Sequence, residues 1–441
     1  MNRQLRRDTI RHAFWMVGLV AADLASANDQ PMPVAVRWWG QAMVSVETYW
    51  NLSVVVDPHG RQLSATVPVR TADAVLVTHE DSDLNSAALV GGEPKVMRGF
   101  DANGAVRDVK LVVDRLPNQP EIAYRLGGPR PTDSPRRIAV QTVATRHDIR
   151  GSGQPGAAAI FVIDVEGVRI VHCSDLGEAR LSKQQLASLG RVDVLLAPVG
   201  GQSTVDARQA RAIVRQVAPR ILVPIHDQTE AQTAPLDPVD AFVEALAVES
   251  SIERPSGNTL AVRATDGDSD AATRIVVLSD RPWRPDGELD KLMDRMEAAC
   301  RQSQAVFEPL SVDQMNFRPP NGTHTPRWNA EHMMGRQLLF FTQIFSALSD
   351  EFRTVDLNPA QMPPDYEAAH PDWDGAEEAR QMERATALVR RFAYLLDGVP
   401  LDQRTPGSRW TLRGLLQQME RHFGEHTANV KRKFELPQWP Q

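Results

Sequence analysis

Residues Leu76–Asn85 read LVTHEDSDLN, and this stretch decides the fold. An apolar run stops at Thr78, and His79, Asp81 and Asp83 follow at alternate positions. Imidazole and carboxylate at that spacing, just past a strand, can converge on one cation. Working outward, other short apolar runs end in the same residue types: His147 in TRHDIRGSG, Asp175 in VHCSDLG and His226 in LVPIHD. A rigid sheet positions groups best on the loops at its strand ends. A lone histidine in such a place is ordinarily structural. The joint arrival of three, each with strand-like sequence before it, is the signal.

Strand-like runs recur around this stretch: Val34–Trp38, Met43–Thr48, Leu52–Val56, Ala74–Thr78, Lys110–Val113, Ile138–Val143, Ala159–Val165, Val168–His172, Val194–Pro198, Ile221–Pro224 and Ile275–Leu278. Many end in Gly, Asp or Pro turn signals. Helical patterns at Lys183–Leu189 and Val205–Val217 lie between them, so residues 31–280 predict an α/β sandwich. Asp266–Thr273 reads as a polar hairpin or loop. The texture then changes. Apolar residues at helical spacing, such as Met334, Leu338, Phe341 and Phe345, or Leu412, Leu415, Met419 and Phe423, mark four amphipathic helices within residues 286–441. Connectors rich in Pro and Gly separate them, which predicts a four-helix bundle.

Residues 33–278 resemble a metallo-β-lactamase-fold protein of the UlaG-like branch. The carrying residues are Trp39-Gly40-Gln41, Asp57-Pro58, the run Thr78–Asp83, Ser174-Asp175-Leu176-Gly177 and Pro224-Ile225-His226. The family motif is T-H-x-H-x-D-H; Thr78, His79 and Asp83 match, while Asp81 and Leu84 stand where the family has histidine. The resemblance implies an αββα sandwich and a metal-dependent hydrolase. It implies that His79 and His147 hold a first metal, with Asp81 replacing an imidazole. Asp83 and His226 would hold a second, with Asp175 bridging. Leu84 cannot ligate, which points to one metal rather than two. The oxygen-rich set shifts the expected ion from zinc toward Mn²⁺ or Fe²⁺. Asp83 is then the expected catalytic group, a general base or water-orienting carboxylate. His172 is either a partner that orients a ligand or a satisfied core histidine. His59 reads as a turn residue, and Cys173 as packed rather than nucleophilic.

The helical half carries a second constellation. His422 and His426, four apart in RHFGEHTANV, share one helix face bordering the apolar stripe. His332 lies near the start of another helix, in RWNAEHMMGR. Three imidazoles from two facing helices can build an open metal site. Residues 286–437 resemble the DinB-like (YfiT-like) four-helix family, whose motif of one histidine on the second helix and H-x-x-x-H on the fourth is matched by all three. Trp328 and Trp410-Thr411-Leu412 also fit it. The resemblance implies zinc or a nickel-like divalent ion, in a family that includes thiol-dependent transferases and hydrolase-like enzymes. His324 and His370 read as exposed connector residues.

Composition bounds the rest. The 441 residues suit two or three domains. Two cysteines, Cys173 and Cys300, exclude a disulfide scaffold and a four-cysteine zinc module, leaving metal binding to the 11 histidines and the carboxylates. With 49 basic against 56 acidic residues there is no basic excess for nucleic acid. Residues 1–27 carry four arginines, then the apolar run Ala13–Ala22, then Ala25-Ser26-Ala27, the order of a cleavable signal peptide. The expected mature protein is periplasmic and without a membrane span. Its net charge moves from −7 to −9 as four Arg and two Asp are lost.

Three functions fit: an exported hydrolase of small molecules with a metal-binding bundle; a degenerate, non-catalytic sandwich beside a metal- or ligand-binding bundle; or transferase chemistry in the bundle alone.

Overall fold

The computed structural model describes residues 32–441 apart from 61–70, 80–85, 102, 104, 116–121, 127–136, 148–155, 203, 230–234, 247–249, 266–271 and 360–364. The leader, Asp81, Asp83, Leu84 and most of the Asp266–Thr273 stretch lie outside the described residues. Two compact units emerge. One comprises Met32–Asp294 with Ala387–Val399, the other Arg295–Thr386 with Pro400–Gln441.

In the first unit a six-stranded sheet is built from β1 (Val34–Trp38), β2 (Val44–Glu47), β3 (Ser53–Val56), β4 (Ala74–Val77), β5 (Lys95–Arg98) and β14 (Thr259–Val262), in the order β14-β1-β2-β3-β4-β5. The other sheet has nine strands: β6 (Lys110–Arg115), β7 (Ile122–Leu126), β8 (Arg137–His147), β9 (Gly156–Val165), β10 (Val168–His172), β11 (Val194–Pro198), β12 (Ile221–Ile225), β13 (Ser251–Glu253) and β15 (Arg274–Val276). Its order is β13-β15-β12-β11-β10-β9-β8-β6-β7. Period-two alternation explains the layering. Val34, Val36, Val54, Val56 and Leu76 from the small sheet meet Leu111, Val140, Ile163, Ile170, Leu196 and Val223 from the large one in one core. The alternate residues Val162, Val171, Leu195 and Leu222 face outward and are covered by α1 (Lys183–Leu189), α2 (Ala207–Val217) and α3 (Val239–Leu246), through Leu189, Ile213, Phe242 and Leu246. A second outer cluster, with Met43, Val75, Val77 and Phe100, covers the other face of the small sheet. These are the αββα layers expected from sequence. Because β10, β11 and β12 run parallel and are covered on both faces, they read as unbroken apolar runs. Truncating a core residue such as Leu76 to alanine is expected to cost about 2–5 kcal/mol.

In the helical unit the long elements are α4 (Gly287–Phe307, of which Arg295 onward belongs to this unit), α6 (Pro326–Leu348), α7 (Gly375–Arg391, as far as Thr386) and α8 (Leu412–Lys431); a short α5 (Val312–Met315) follows α4. Caps fix where they begin. The Thr325 hydroxyl accepts from Trp328 N, with Pro326 at the first helical position, and Thr411 accepts from Gly414 N. Met296, Cys300, Phe307, Met333, Phe341, Phe345, Met382, Ala385, Leu415, Met419 and Phe423 are all fully buried. A hydrogen bond of 2.6 Å between Ser303 and Thr427 ties α4 to α8. Among the described residues no helix is long and apolar enough to cross a membrane.

Candidate metal centres

In the first unit, β4 delivers Thr78 and His79, β10 delivers Ser174 and Asp175, and β12 delivers His226, all at carboxyl ends of strands. Asp175 is the meeting point: its Oδ2 lies 3.5 Å from His79 Nε2 and its Oδ1 lies 3.3 Å from His226 Nε2. All three residues are buried. His147 ends β8, its main chain paired with Gly156. The sequence-predicted ligands His79, Asp175 and His226 are therefore together.

Behind them is a network that sequence reasoning quoted without a role. Asp57, fully buried, accepts from Thr78 N at 2.8 Å, Thr78 Oγ1 at 2.8 Å and Ser174 Oγ at 2.6 Å. Thr78 Oγ1 also lies 2.8 Å from His79 Nδ1. The hydroxyl has one proton, and the carboxylate takes it. The oxygen must then accept from Nδ1–H. That fixes the tautomer and leaves the Nε2 lone pair facing Asp175, as an orienting partner does for a ligating histidine. Burial raises the Asp57 pKa, opposed by His172, His79 and its hydrogen-bond donors.

His172 donates from Nε2 to Ala42 O at 2.8 Å and turns Nδ1 toward Asp57 Oδ2 at 3.9 Å; it serves the carboxylate behind the site. His59, read from the sequence as a turn residue, lies in the loop after β3. It is buried and bonds through Nε2 to Trp39 O at 3.0 Å, bracing the Trp39–Gln41 loop. That loop in turn holds His226, whose N–H donates to Gln41 O at 2.9 Å. Gly200 passes so close to His226 that a Cβ would sit 2.2 Å from its carbonyl oxygen, so no larger residue fits there. Gln41, Asp57, Ser174 and His226 all have left-handed φ, between +46° and +53°. Each costs of order 1–3 kcal/mol, and such strain concentrates at functional sites. Cys173 is packed, its thiol pushed up to about 12 by burial, so it is no nucleophile.

In the helical unit His332 from α6 and His422 and His426 from α8 converge, each offering a ligand atom within 4.8 Å of the others. Burial pushes all three down to about 4, and mutual repulsion adds to it. They are neutral at pH 7, with lone pairs available for a metal. Asn329, missed by sequence reasoning, orients one of them. Its Nδ2 donates to Thr325 O at 2.7 Å, which fixes the amide, and its Oδ1 accepts from His426 Nδ1 at 2.8 Å. Its position one turn before His332 was the available signal. Trp328 stacks on His332 with centroids 4.5 Å apart, and half-buried His324 packs edge-on against Trp328 at 3.7 Å, so His324 is not the fully solvated connector residue expected. His370 is exposed, as expected. Gly335 admits the Leu357–Asn358 segment, since a Cβ there would lie 2.5 Å from Asn358 Cα.

The bundle's three imidazoles fit a divalent cation, and in the sandwich two imidazoles flank one carboxylate. With His79 held as the Nδ1–H tautomer, its Nε2 lone pair and the Asp175 carboxylate face each other across 3.5 Å, an arrangement that suits a cation. Asp175 Oδ1 and His226 Nδ1 are buried and make no hydrogen bond among the described residues; the same holds for His422 Nε2. Buried polar atoms left so are exceptions that call for a partner.

Two mixed sheets with ligand-type residues at one set of strand ends define a metallo-β-lactamase-fold protein. Residues 35–226 match the family model of the β-lactamase superfamily domain, and residues 295–430 match that of the DinB superfamily. A UPF0173 metal-dependent hydrolase from Anaeromyxobacter dehalogenans (strain 2CP-C) is 30% identical over 206 residues, covering 43% of this chain and 73% of that protein. Another, from Thermococcus onnurineus (strain NA1), is 27% identical over 201 residues, covering 44% and 85%. A solved Thermotoga maritima structure, described as a candidate Zn-dependent hydrolase of the metallo-β-lactamase superfamily, shares 26% identity and covers 56% of this chain and 98% of its own, with a TM-score of 0.40. The chain belongs to the UPF0173 family of metal-dependent hydrolases, and its helical part matches the DinB superfamily.

Proposed function

We propose that this protein is an exported metal-dependent hydrolase of small molecules with an altered, mononuclear first metal centre. The ligands are drawn from His79, Asp81, Asp83, His147, Asp175 and His226, and His332, His422 and His426 hold a second divalent ion in the bundle. The observation that carries the reading is the Asp175 carboxylate between two imidazoles, at 3.5 and 3.3 Å, with its Oδ1 making no hydrogen bond among the described residues. Aspartate for histidine at 81 and leucine at 84 favour a hard-oxygen ion, Mn²⁺ or Fe²⁺, alongside zinc. Bound there, such an ion supplies a nucleophilic hydroxide near neutral pH and polarises the scissile bond. The chain's own residues do the remainder. Asp57 and Thr78 hold His79 in its ligating tautomer. The Gln41 carbonyl and Gly200 hold the strained His226. Asp83 orients the water or takes its proton. Esters, lactones, amides and phosphoesters are the substrate classes.

Metal analysis of the full-length chain tests this, with turnover of generic esters and phosphoesters after Mn²⁺, Fe²⁺ or Zn²⁺ addition. Asp175→Asn should lose one equivalent of metal and the turnover together. Turnover that survives this change sinks the hydrolase reading. Export predicts an isolated chain beginning after Ala27; an unprocessed chain retained in the cytosol defeats that part. The second reading, chemistry in the bundle beside an inactive sandwich, is favoured by one observation: the three imidazoles there form a full ligand set. Under it, only His426→Ala abolishes activity.

A further inference from the structure

Away from these centres, the unit formed by Met32–Asp294 and Ala387–Val399 contains a cavity of about 360 Å³. None of His79, Asp175 or His226 lines it. Its volume falls within the roughly 300–1,000 Å³ range of small-molecule sites. Its wall carries more positive than negative charge. Arg37 Nη1 and Arg391 Nε share the single carboxylate of Glu47, at 3.0 and 3.3 Å, and both guanidiniums are about nine-tenths buried. Arg390, also on the wall, is engaged instead by Asp290 and Asp294 at 2.7 and 2.6 Å. One carboxylate thus answers two buried guanidiniums, an arrangement that favours a further anion.

The donors point the same way. Asn258 is 1% exposed, and its Nδ2 makes no hydrogen bond among the described residues; nor does Arg37 Nε. Trp283 and Tyr394, both half-buried, supply aromatic surface to the same cavity, and buried Trp39 lies behind its wall. An aromatic wall next to guanidinium recognises a flat ring carrying an anionic head. We propose that this cavity is a binding site for a small aromatic anion, a ring bearing a carboxylate or phosphate. The guanidinium of Arg37 takes the charged head, and the ring lies against Trp283 and Tyr394.

Tryptophan fluorescence of the full-length protein, titrated with phenyl phosphate and benzoate, tests the site directly. Saturable quenching that weakens with salt is expected, with inorganic phosphate and phenol each binding at least about tenfold more weakly, since each lacks half of the recognised chemistry. Arg37→Gln should weaken binding by about tenfold or more, the effect of one charged hydrogen bond. Because Arg37 is ion-paired and its loss can disturb folding, Ala387→Phe is the second variant. It fills the cavity from the half-buried helix face without removing a charge and should abolish quenching at an unchanged melting temperature. Binding should persist in His226→Ala. Quenching that is absent, that survives both cavity variants, or that disappears in His226→Ala overturns the proposal. Equal binding of inorganic phosphate overturns the ligand class.

Discussion

The two candidate centres are built on opposite principles. In the sandwich the ligand-type residues come from separate strand ends, mix imidazole with carboxylate, and lie among residues forced into left-handed backbone. In the bundle three imidazoles come from two regular helices, and no residue of α6 or α8 has positive φ. The sandwich centre stores strain and depends on a hydrogen-bonded network behind it. The bundle centre depends on helix register and on the burial that keeps its imidazoles neutral. The difference teaches that a site can be held either by a strained frame or by repetition along a helix. The two should fail differently.

The largest expected effect is at the sandwich's meeting point. Asp175→Asn should lower hydrolytic turnover by more than about 100-fold, the upper end of what loss of a mere orienting partner costs, while the bundle's metal stays. If both metals leave together, the two centres are not independent. Next, His426→Ala should remove one equivalent of metal and leave ester turnover unchanged; measurable loss of turnover would move the chemistry into the bundle. Smaller effects are expected one step back from the ligands. Thr78→Val and Asn329→Ala should each weaken metal at their own centre by about 10–100-fold, read by competition with a chromophoric chelator.

The pH response should also separate the two. In chelator-treated protein the three imidazoles lie near 4 when folded, against an ordinary 6.5. The unfolded chain therefore takes up protons first on acidification. The stability tied to neutral imidazoles is complete above about pH 6.5 and is lost as pH falls toward 4. The bundle's melting temperature should fall across that window, and less so after all three histidines are changed to glutamine. The smallest effect is at the thiols. Burial raises both Cys173 and Cys300, so neither should react with a thiol reagent at pH 8 until the protein unfolds.

Much of the fold was legible because burial leaves a period. The continuous apolar runs of β10 to β12 and the helical stripes of α6 and α8 are consequences of what covers them. Elements without that imprint were not found. β5 has two exposed residues in four, and β13 is exposed throughout. β14 closes the small sheet against β1 from more than two hundred residues away, a pairing that no local pattern encodes. Among site residues, the histidines and Asp175 were visible as chemistry at strand ends. Asp57, Thr78 and Ser174 were visible only as a motif, because their role lies in the direction of hydrogen bonds between segments distant in sequence. Asn329 carries no mark of its role in the sequence, because that role depends on Thr325 O fixing its amide.

The chain from Asp57 through Thr78 to His79 has a further consequence. Each hydroxyl hydrogen points one way only, so the row of bonds has a polarity, set at its buried end by the accepting oxygens of Asp57. A single proton on Asp57 would turn the acid from acceptor into donor. The Thr78 hydroxyl would then be free to face about and present its hydrogen to Nδ1. The imidazole would carry its own hydrogen on Nε2, the nitrogen aimed at Asp175. What holds the row in one sense is the full burial of Asp57 and the three donors that crowd its two oxygens.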